Sequence, residues 1–327
     1  MRLSKHHGLG NDFLVVLDQG DATAELARWL CHRRRGIGAD GLISGCTPGP
    51  SSSREAPGTP PSPAPDMPPD LAPEVVMVLR NADGSRAEMS GNGIRCLAQA
   101  VLRRRGEVSG SVTIGTDAGV RCVTIAAGDR PSVSLAEVDL GPARPGPAWA
   151  RQLPAGLLAA LGTPTLRAET VDLGNPHLVI EAADPAVVDL AHFGPLLEAA
   201  FPRGVNVELV GPRAGRLDEL DVAVWERGVG ITDACGTGAC ASAAAANRWG
   251  LVGRDVTVHL PGGAVGVHLG ATLTLRGDVV HIADIDVADV EADADGRAGS
   301  DRVDIGVPGG AGGGEDGYRE DREDTGG

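Results

Sequence analysis

Aromatic side chains are scarce. Phe, Trp and Tyr make up only 2% of the 327 residues, so a core has to be assembled from Val, Leu, Ile and Ala. Cysteine occurs six times (Cys31, Cys46, Cys96, Cys122, Cys235, Cys240), with no pair at CxxC spacing. That scatter excludes a disulfide framework and a zinc ribbon, and it suits reduced thiols. Cys31-His32 lacks further ligands at finger spacing, so no metal is expected. No apolar run is long enough to span a bilayer, and Met1-Arg2-Leu3-Ser4-Lys5-His6-His7 has no apolar signal core, so the expectation is a cytoplasmic protein without a membrane partner. A basic surface is missing as well. Of the net charge of −15, the chain from Asp284 on contributes −10, fourteen acidic residues against four Arg, which leaves −5 for everything before it. Nucleic acid is therefore not an expected partner.

What is present is a repeat. Thr232-Asp233-Ala234-Cys235-Gly236-Thr237-Gly238 runs into the small-residue segment Ala239 to Ala246, and far upstream Ser90-Gly91-Asn92-Gly93 runs into Ile94-Arg95-Cys96-Leu97-Ala98. Each places a Ser or Cys just before a helix, where free backbone N–H groups and the macrodipole favour negative charge. Such a position is expected to lower a thiol pKa and to bind a carboxylate. A second repeat accompanies it: Leu9-Gly10-Asn11-Asp12-Phe13 is matched by Leu173-Gly174-Asn175-Pro176-His177. Two matched halves facing one another would bring two helix starts and two acid/base side chains to one cleft.

The helices after both Gly-x-Gly motifs are apolar on nearly every side, and a helix without a polar face is buried. Around them lie short β runs: Phe13–Leu17, Glu74–Arg80, Ser111–Ile114, Val120–Ile125, Ser132–Leu135, Thr170–Leu173, Leu178–Ile180, Val205–Val210, Leu220–Trp225, Val256–Leu260, Ala264–His268, Ala271–Leu275 and Val279–Ala283. Helices are expected over Ala24–Leu30, capped by Asp21, and over Leu190–Ala200. Arg33-Arg34-Arg35 reads equally as an anion site or a solvated face. The fold class is α+β, with two similar pseudo-symmetric domains, each a curved, mostly antiparallel sheet around a central apolar helix. The expected boundaries are 1–140 for the first domain, with a disordered Pro-rich insertion over 47–73, and 141–272 for the second. A strand over 273–287 returns to the first domain, and 288–327 is a disordered acidic tail.

Six motifs in order carry a resemblance to one family. His7-Gly8-x-x-Asn11-Asp12-Phe13, Asn81-Ala82-Asp83-Gly84-Ser85, Gly91-Asn92-Gly93-x-Arg95, Gly174-Asn175-Pro176-His177, Glu226-Arg227-Gly228 and Ala234-Cys235-Gly236-Thr237-Gly238 resemble those of diaminopimelate epimerase, a cofactor-independent amino-acid isomerase. The resemblance implies interconversion of LL- and meso-2,6-diaminopimelate in lysine biosynthesis and peptidoglycan-precursor supply. It implies no cofactor and no pyridoxal phosphate, and a homodimer. Inverting a stereocentre needs acid/base groups on both faces of the carbon, which the resemblance assigns to Cys235 and Ser90, with His177 beside the acid/base of the other half. Amides of Asn92, Gly93, Gly236 and Thr237 would hold the substrate carboxylate. Asn11, Asn81, Asn175, Asn206, Glu226 and Arg227 would hold the rest, Arg227 as a fork on the distal carboxylate. Cys96 and Cys240 are read as core.

Ser90 departs from the family, which has cysteine there, and Ile231 stands where the family usually has Glu. An unassisted serine hydroxyl is far less acidic than a thiol and needs a neighbouring base. Four readings stand open: a natural serine variant helped by His177; a substitution introduced into the chain; an enzyme for another amino acid or for one-sided proton removal; and an inactive protein that binds an amino acid.

Overall fold

The structure is a computed structural model that describes residues 1–17, 20–47, 72–87, 90–117, 119–149, 153–163 and 166–288. Most of the expected Pro-rich insertion (48–71) and the acidic tail from 289 on lie outside the described residues. Arg2–Ile285 pack as one compact unit. Met1 belongs with the chain from Asp286 on, and its amino group donates to the Val287 carbonyl at 2.6 Å.

The two halves of the unit use one order of elements. In the first, β1 (Arg2–Gly8) and β2 (Asn11–Leu17) form a hairpin, and α1 (Ala24–Cys31) crosses to β3 (Gly41–Cys46), parallel to β2. β4 (Val75–Asn81) returns antiparallel, with the short β5 (Arg86–Ala87) folded on it. α2 (Gly91–Arg105) then crosses to β6 (Gly110–Thr116), parallel to β4, and β7 (Gly119–Ala127) and β8 (Val133–Asp139) follow as a meander. After β9 (Arg144–Pro145) and α3 (Leu157–Leu161) the scheme repeats. β10 (Ala168–Asp172) and β11 (Pro176–Glu181) pair, α4 (Leu190–Ala199) crosses to the parallel β12 (Asn206–Pro212), and β13 (Glu219–Glu226) and the short β14 (Gly230–Thr232) follow. α5 (Gly236–Arg248) crosses to β15 (Asp255–Leu260), parallel to β13, before β16 (Gly263–Leu269) and β17 (Leu273–Asp286).

Strand pairing closes each half around its long helix. In the first lobe β1, β2, β3, β4, β6, β7, β8 and β17 form a ring, shut by the β1–β17 pairing. The second lobe is shut by the chain after β8. Leu140 N donates to the Leu273 carbonyl and Leu273 N to the Gly141 carbonyl across the start of β17, and β9 pairs with β10. Each lobe thus lends a strand to the other, which is why the runs 271–275 and 279–283, expected as two strands, are one. β17 needs 14 residues because its first part pairs with β16 and its middle with β8.

The few aromatics have a structural counterpart. α5 is buried from Gly236 to Ala246 and is almost all Ala, Gly and Ser, so strands of Val can close tightly about a thin cylinder. α2 is buried from Gly91 to Leu102. It ends at Gly106, whose left-handed φ of 76° only glycine adopts at no cost, after Arg103, Arg104 and Arg105 have met the negative end of the dipole. A cap differs from expectation: Thr23, not Asp21, caps α1 by accepting from Leu26 N, and Asp21 instead pairs with Arg80. β1 was not legible beforehand, because Arg-Leu-Ser-Lys-His-His carries little β-branched character. His6 points inward at α2 and is fully buried, while Leu3, an odd number of residues away along the strand, is buried on the opposite face.

His6 lies between Gln99 Oε1 on α2 (2.8 Å) and Ser4 Oγ (2.8 Å), and burial pulls its imidazole down to about 4. The folded state therefore refuses a proton that the unfolded chain takes up near pH 6.5. Stability is expected to be constant above that pH and to fall by about 3 kcal/mol as pH drops to about 4. Urea unfolding across this window should show that slope, and His6→Gln should flatten it.

Candidate active site

Ser90 and Cys235 are the N-cap residues of α2 and α5, in near-identical extended conformations (φ −133° and −127°). Ser90 Oγ accepts from Gly93 N at 3.0 Å, and Cys235 Sγ accepts from Gly238 N at 3.3 Å. The first residues of the two helices abut: a Cβ placed on Gly91 would lie 3.1 Å from Gly236 Cα, and one on Gly236 3.1 Å from Gly91 Cα. Two sets of unpaired N–H groups, with the positive ends of two dipoles, thus meet at one place. The amides of Asn92, Gly93, Gly236 and Thr237 belong to these two first turns, that of Gly93 already bonded to Ser90 Oγ.

The two Leu-Gly-Asn turns dock on the middle residues of the Gly-x-Gly motifs. Asn92 Nδ2 donates to Asn11 Oδ1 at 3.3 Å, and in the other lobe Asn175 Nδ2 donates to Thr237 Oγ1 at 3.2 Å. Gly10 (φ 82°) and Gly174 (φ 97°) make these turns possible. Asn92 also donates to the Ala234 carbonyl at 3.1 Å, which ties the α2 start to the loop before α5. Its Oδ1 accepts from Arg95 Nη2 at 2.6 Å. Arg95 is fully buried, and its Nε and Nη1 have no hydrogen-bond partner among the described residues.

Asn206, Asn81, Glu226 and Arg227 stand at the strand ends nearby. Asn206 Oδ1 accepts from Arg227 N at 2.9 Å while its Nδ2 donates to the Pro176 carbonyl. Asn81 Nδ2 donates to Ser85 Oγ at 3.1 Å. Glu226 accepts from Thr232 Oγ1 at 2.7 Å, and burial pushes its carboxyl up. Arg227 Nη1 reaches the Arg203 carbonyl at 3.3 Å.

The lobes differ around their caps. His177 Nδ1 lies 2.7 Å from Glu208 Oε1, both residues fully buried, and its Nε2 lies 3.1 Å from Asn175 Oδ1. Those bonds run to the Cys235 side rather than toward Ser90. Register locates the counterparts: His177 faces Asn206 as Phe13 faces Gly41, so Phe13 and Ile43 occupy in the first lobe the positions of His177 and Glu208. The surroundings agree. A Cβ on Gly238 would meet Glu208 Oε1 at 2.7 Å, whereas one on Gly93 would meet Met77 Cε and Ile43 Cδ1 at 3.1 and 3.2 Å.

Electrostatics overturn one expectation. The helix start was expected to lower the Cys235 thiol, but burial raises it well above its ordinary value. Glu226 and Glu208 add to that, against the opposing bonds from Thr237 and Gly238 N. Desolvation outweighs the dipole because Cys235 is only 6% exposed. Cys96 and Cys240 are fully buried, and each thiol is pushed up to about 12.

Two carboxylates of this cluster carry little signal in the sequence. Glu208 sits between Val207 and Leu209 in a strand buried on both faces, and a lone charge in such a run was the available signal. Asp40 accepts from Asn11 Nδ2 at 2.9 Å and from Arg33 at 2.7 Å, while Arg33 also grips Asp12. Arg33 is therefore part of the frame behind Asn11, and Arg34 and Arg35 are exposed.

Comparison with known proteins bears on this arrangement. The profile of the diaminopimelate epimerase family matches residues 3–145 and 169–293. A diaminopimelate epimerase of Synechococcus elongatus is 37% identical over 279 residues, covering 80% of this chain and 89% of its own. One of Desulforudis audaxviator is 40% identical over 283 residues, covering 81% and 90%. Among solved structures, a PhzF-family phenazine biosynthesis protein of Bacillus anthracis aligns with a TM-score of 0.61 at 14% identity, over 88% of this chain and 99% of its own. A hydroxyproline epimerase of Agrobacterium vitis aligns at 0.58 and 16%, over 89% and 92%. These structures share the two-lobed fold.

Asn92 is the side chain on which both lobes meet. Asn92→Ala leaves the Ala234 carbonyl and the buried Arg95 guanidinium without that partner, so a loss of about 1–3 kcal/mol is expected. Thermal unfolding of the variant checks it.

Proposed function

Because the chain belongs to the diaminopimelate epimerase family, we propose that it interconverts LL- and meso-2,6-diaminopimelate by moving the α-proton across one carbon, between Cys235 on one face and Ser90 on the other. The observation that carries this reading is the abutment of the two helix starts whose caps are Ser90 and Cys235. A small acid seated there has its carboxylate on the amides of Asn92, Gly93, Gly236 and Thr237, and an acid/base group from each lobe at its α-carbon. Charge that develops as the proton leaves flows into that carboxylate, where fixed N–H dipoles already point. Arg227 takes the distal carboxylate, and Asn11, Asn81, Asn175, Asn206 and Glu226 hold the distal ammonium and its neighbours. The reaction is taken to be cytoplasmic and the enzyme a homodimer. No helix among the described residues is long and apolar enough to cross a membrane.

The two faces are not equal. A thiol raised by burial is mostly protonated near neutrality, so Cys235 holds the proton it has to deliver, and it removes one from substrate faster as pH rises. Ser90 has apolar neighbours in Ile43 and Met77 where the other lobe places Glu208. That contrast favours a second reading, proton removal from the Cys235 face with slow return from the Ser90 face, giving exchange with little inversion.

Protein incubated with diaminopimelate in deuterium oxide is expected to incorporate deuterium at the α-carbon, read by mass spectrometry, with a rate that climbs with pH through the neutral and alkaline range. Cys235→Ala should abolish incorporation and leave the circular dichroism spectrum unchanged. Ser90→Cys should raise inversion by at least about tenfold. Tight binding of diaminopimelate without exchange would overturn the epimerase reading, and exchange without inversion would establish the one-sided one.

A further inference from the structure

The reaction as described leaves a buried chain of hydrogen bonds in the second lobe unused. It runs from Glu208 to His177 (2.7 Å), on to Asn175 (3.1 Å) and Thr237 (3.2 Å), and ends at Cys235, whose sulfur lies 3.5 Å from Thr237 Oγ1. The first lobe has no such chain, since Ile43, Phe13 and Asn92 stand at the positions of Glu208, His177 and Thr237.

One proton decides which way every bond in the chain points. Glu208 is fully buried, and among the described residues its Oε2 has no hydrogen-bond partner and His177 is the only basic group bonded to it. A carboxylate held there beside a neutral ring would be an uncompensated buried charge, with the carboxyl of Glu226 close by. A proton shared on the Oε1···Nδ1 line makes the pair neutral and leaves a second proton on Nε2. The ring then donates to Asn175 Oδ1, the amide is held with Nδ2 toward Thr237, and the Thr237 hydroxyl, accepting from Asn175, turns its own hydrogen to the sulfur. With one proton fewer, Nε2 would be bare, the amide would turn over, and Thr237 would donate to Asn175 instead.

We infer that Glu208 and His177 are positioning residues, a neutral pair that sets the polarity of the Asn175–Thr237 bond and thereby aims the Thr237 hydroxyl at Cys235. The hydroxyl supports the thiolate form of a sulfur whose charged surroundings, Glu226 on β13, Glu208 on β12 and His177 on β11, otherwise oppose it or are neutral. The inference rests on Cys235 acting as the acid/base group. Its tests read the thiol and the ring directly, so a failure of epimerisation leaves them intact.

Two measurements on the full chain decide it. Iodoacetamide labelling of Cys235, followed by peptide mass spectrometry at fixed mildly alkaline pH, is expected to be about tenfold slower in Thr237→Val, with the pH profile displaced upward by about one unit, and unchanged in Thr237→Ser. Equal labelling of Thr237→Val and the parent overturns the inference. In protein labelled with 15N-histidine, the His177 signals, assigned by their loss in His177→Asn, should report a hydrogen on Nε2 in the resting protein. A bare Nε2 overturns it. In Glu208→Gln the resonance of the shared proton should disappear, and its survival would place that proton elsewhere and also overturn the pairing.

Discussion

The approach of Gly91 to Gly236 is the contact on which the site depends. Two helix starts can meet this closely only where neither first residue has a side chain, since a Cβ on either would lie 3.1 Å from the other's Cα. The contact is paid for by the wrapping of both helices, which are buried for most of their length and cannot slide outward without opening a ring of strands. Exchange of strands between lobes, through β17 in one direction and β9 in the other, keeps the two rings in register. Local chemistry at the caps thus inherits its precision from long-range pairing rather than from the loops that carry it.

Much of this was legible in residues. The doubled Gly-x-Gly and Leu-Gly-Asn motifs gave away the internal repeat, and the absence of a polar face on both helices gave away their central place. Hidden features share one cause, which is dependence on partners distant in the chain. β1 has poor local propensity and is a strand because β2 and β17 flank it. β17 looked like two strands because only topology reveals that it serves two lobes. Thr23 and Asp21 are both good caps, and the choice between them is settled by Arg80, 59 residues away from Asp21. In the site, the caps and turn asparagines were readable from motif order. Glu208 was not, because its meaning comes from His177 across a parallel strand pair.

The repeat has kept its backbone and let its chemistry diverge. Caps, glycine turns and crossover helices match between the halves, while Ser faces Cys, Phe faces His and Ile faces Glu. A polar pair buried in one lobe would be a liability in the other unless its bonds were all made. Phe13 and Ile43 are the apolar solution to the same space, and among the described residues they leave the first cap without a counterpart of the Glu208–His177 pair.

That asymmetry bears on how a buried thiol can serve at all. Near a helix start one expects a thiolate, yet here desolvation, with the Glu226 carboxyl adding to it, outweighs the dipole and leaves the sulfur protonated at rest. Such a group is a good acid only if the charge it leaves behind has somewhere to go. Among the described residues, the Gly238 amide donates to that sulfur and the Thr237 hydroxyl lies within reach of it. The amide is fixed by the helix, so it contributes equally whatever the state of the site. A hydroxyl can turn, and its orientation is set by what lies behind it. A substrate carboxylate arriving at the same helix start brings further negative charge and competes for the same dipoles. The donor that the substrate does not claim therefore matters more in the loaded site than in the empty one.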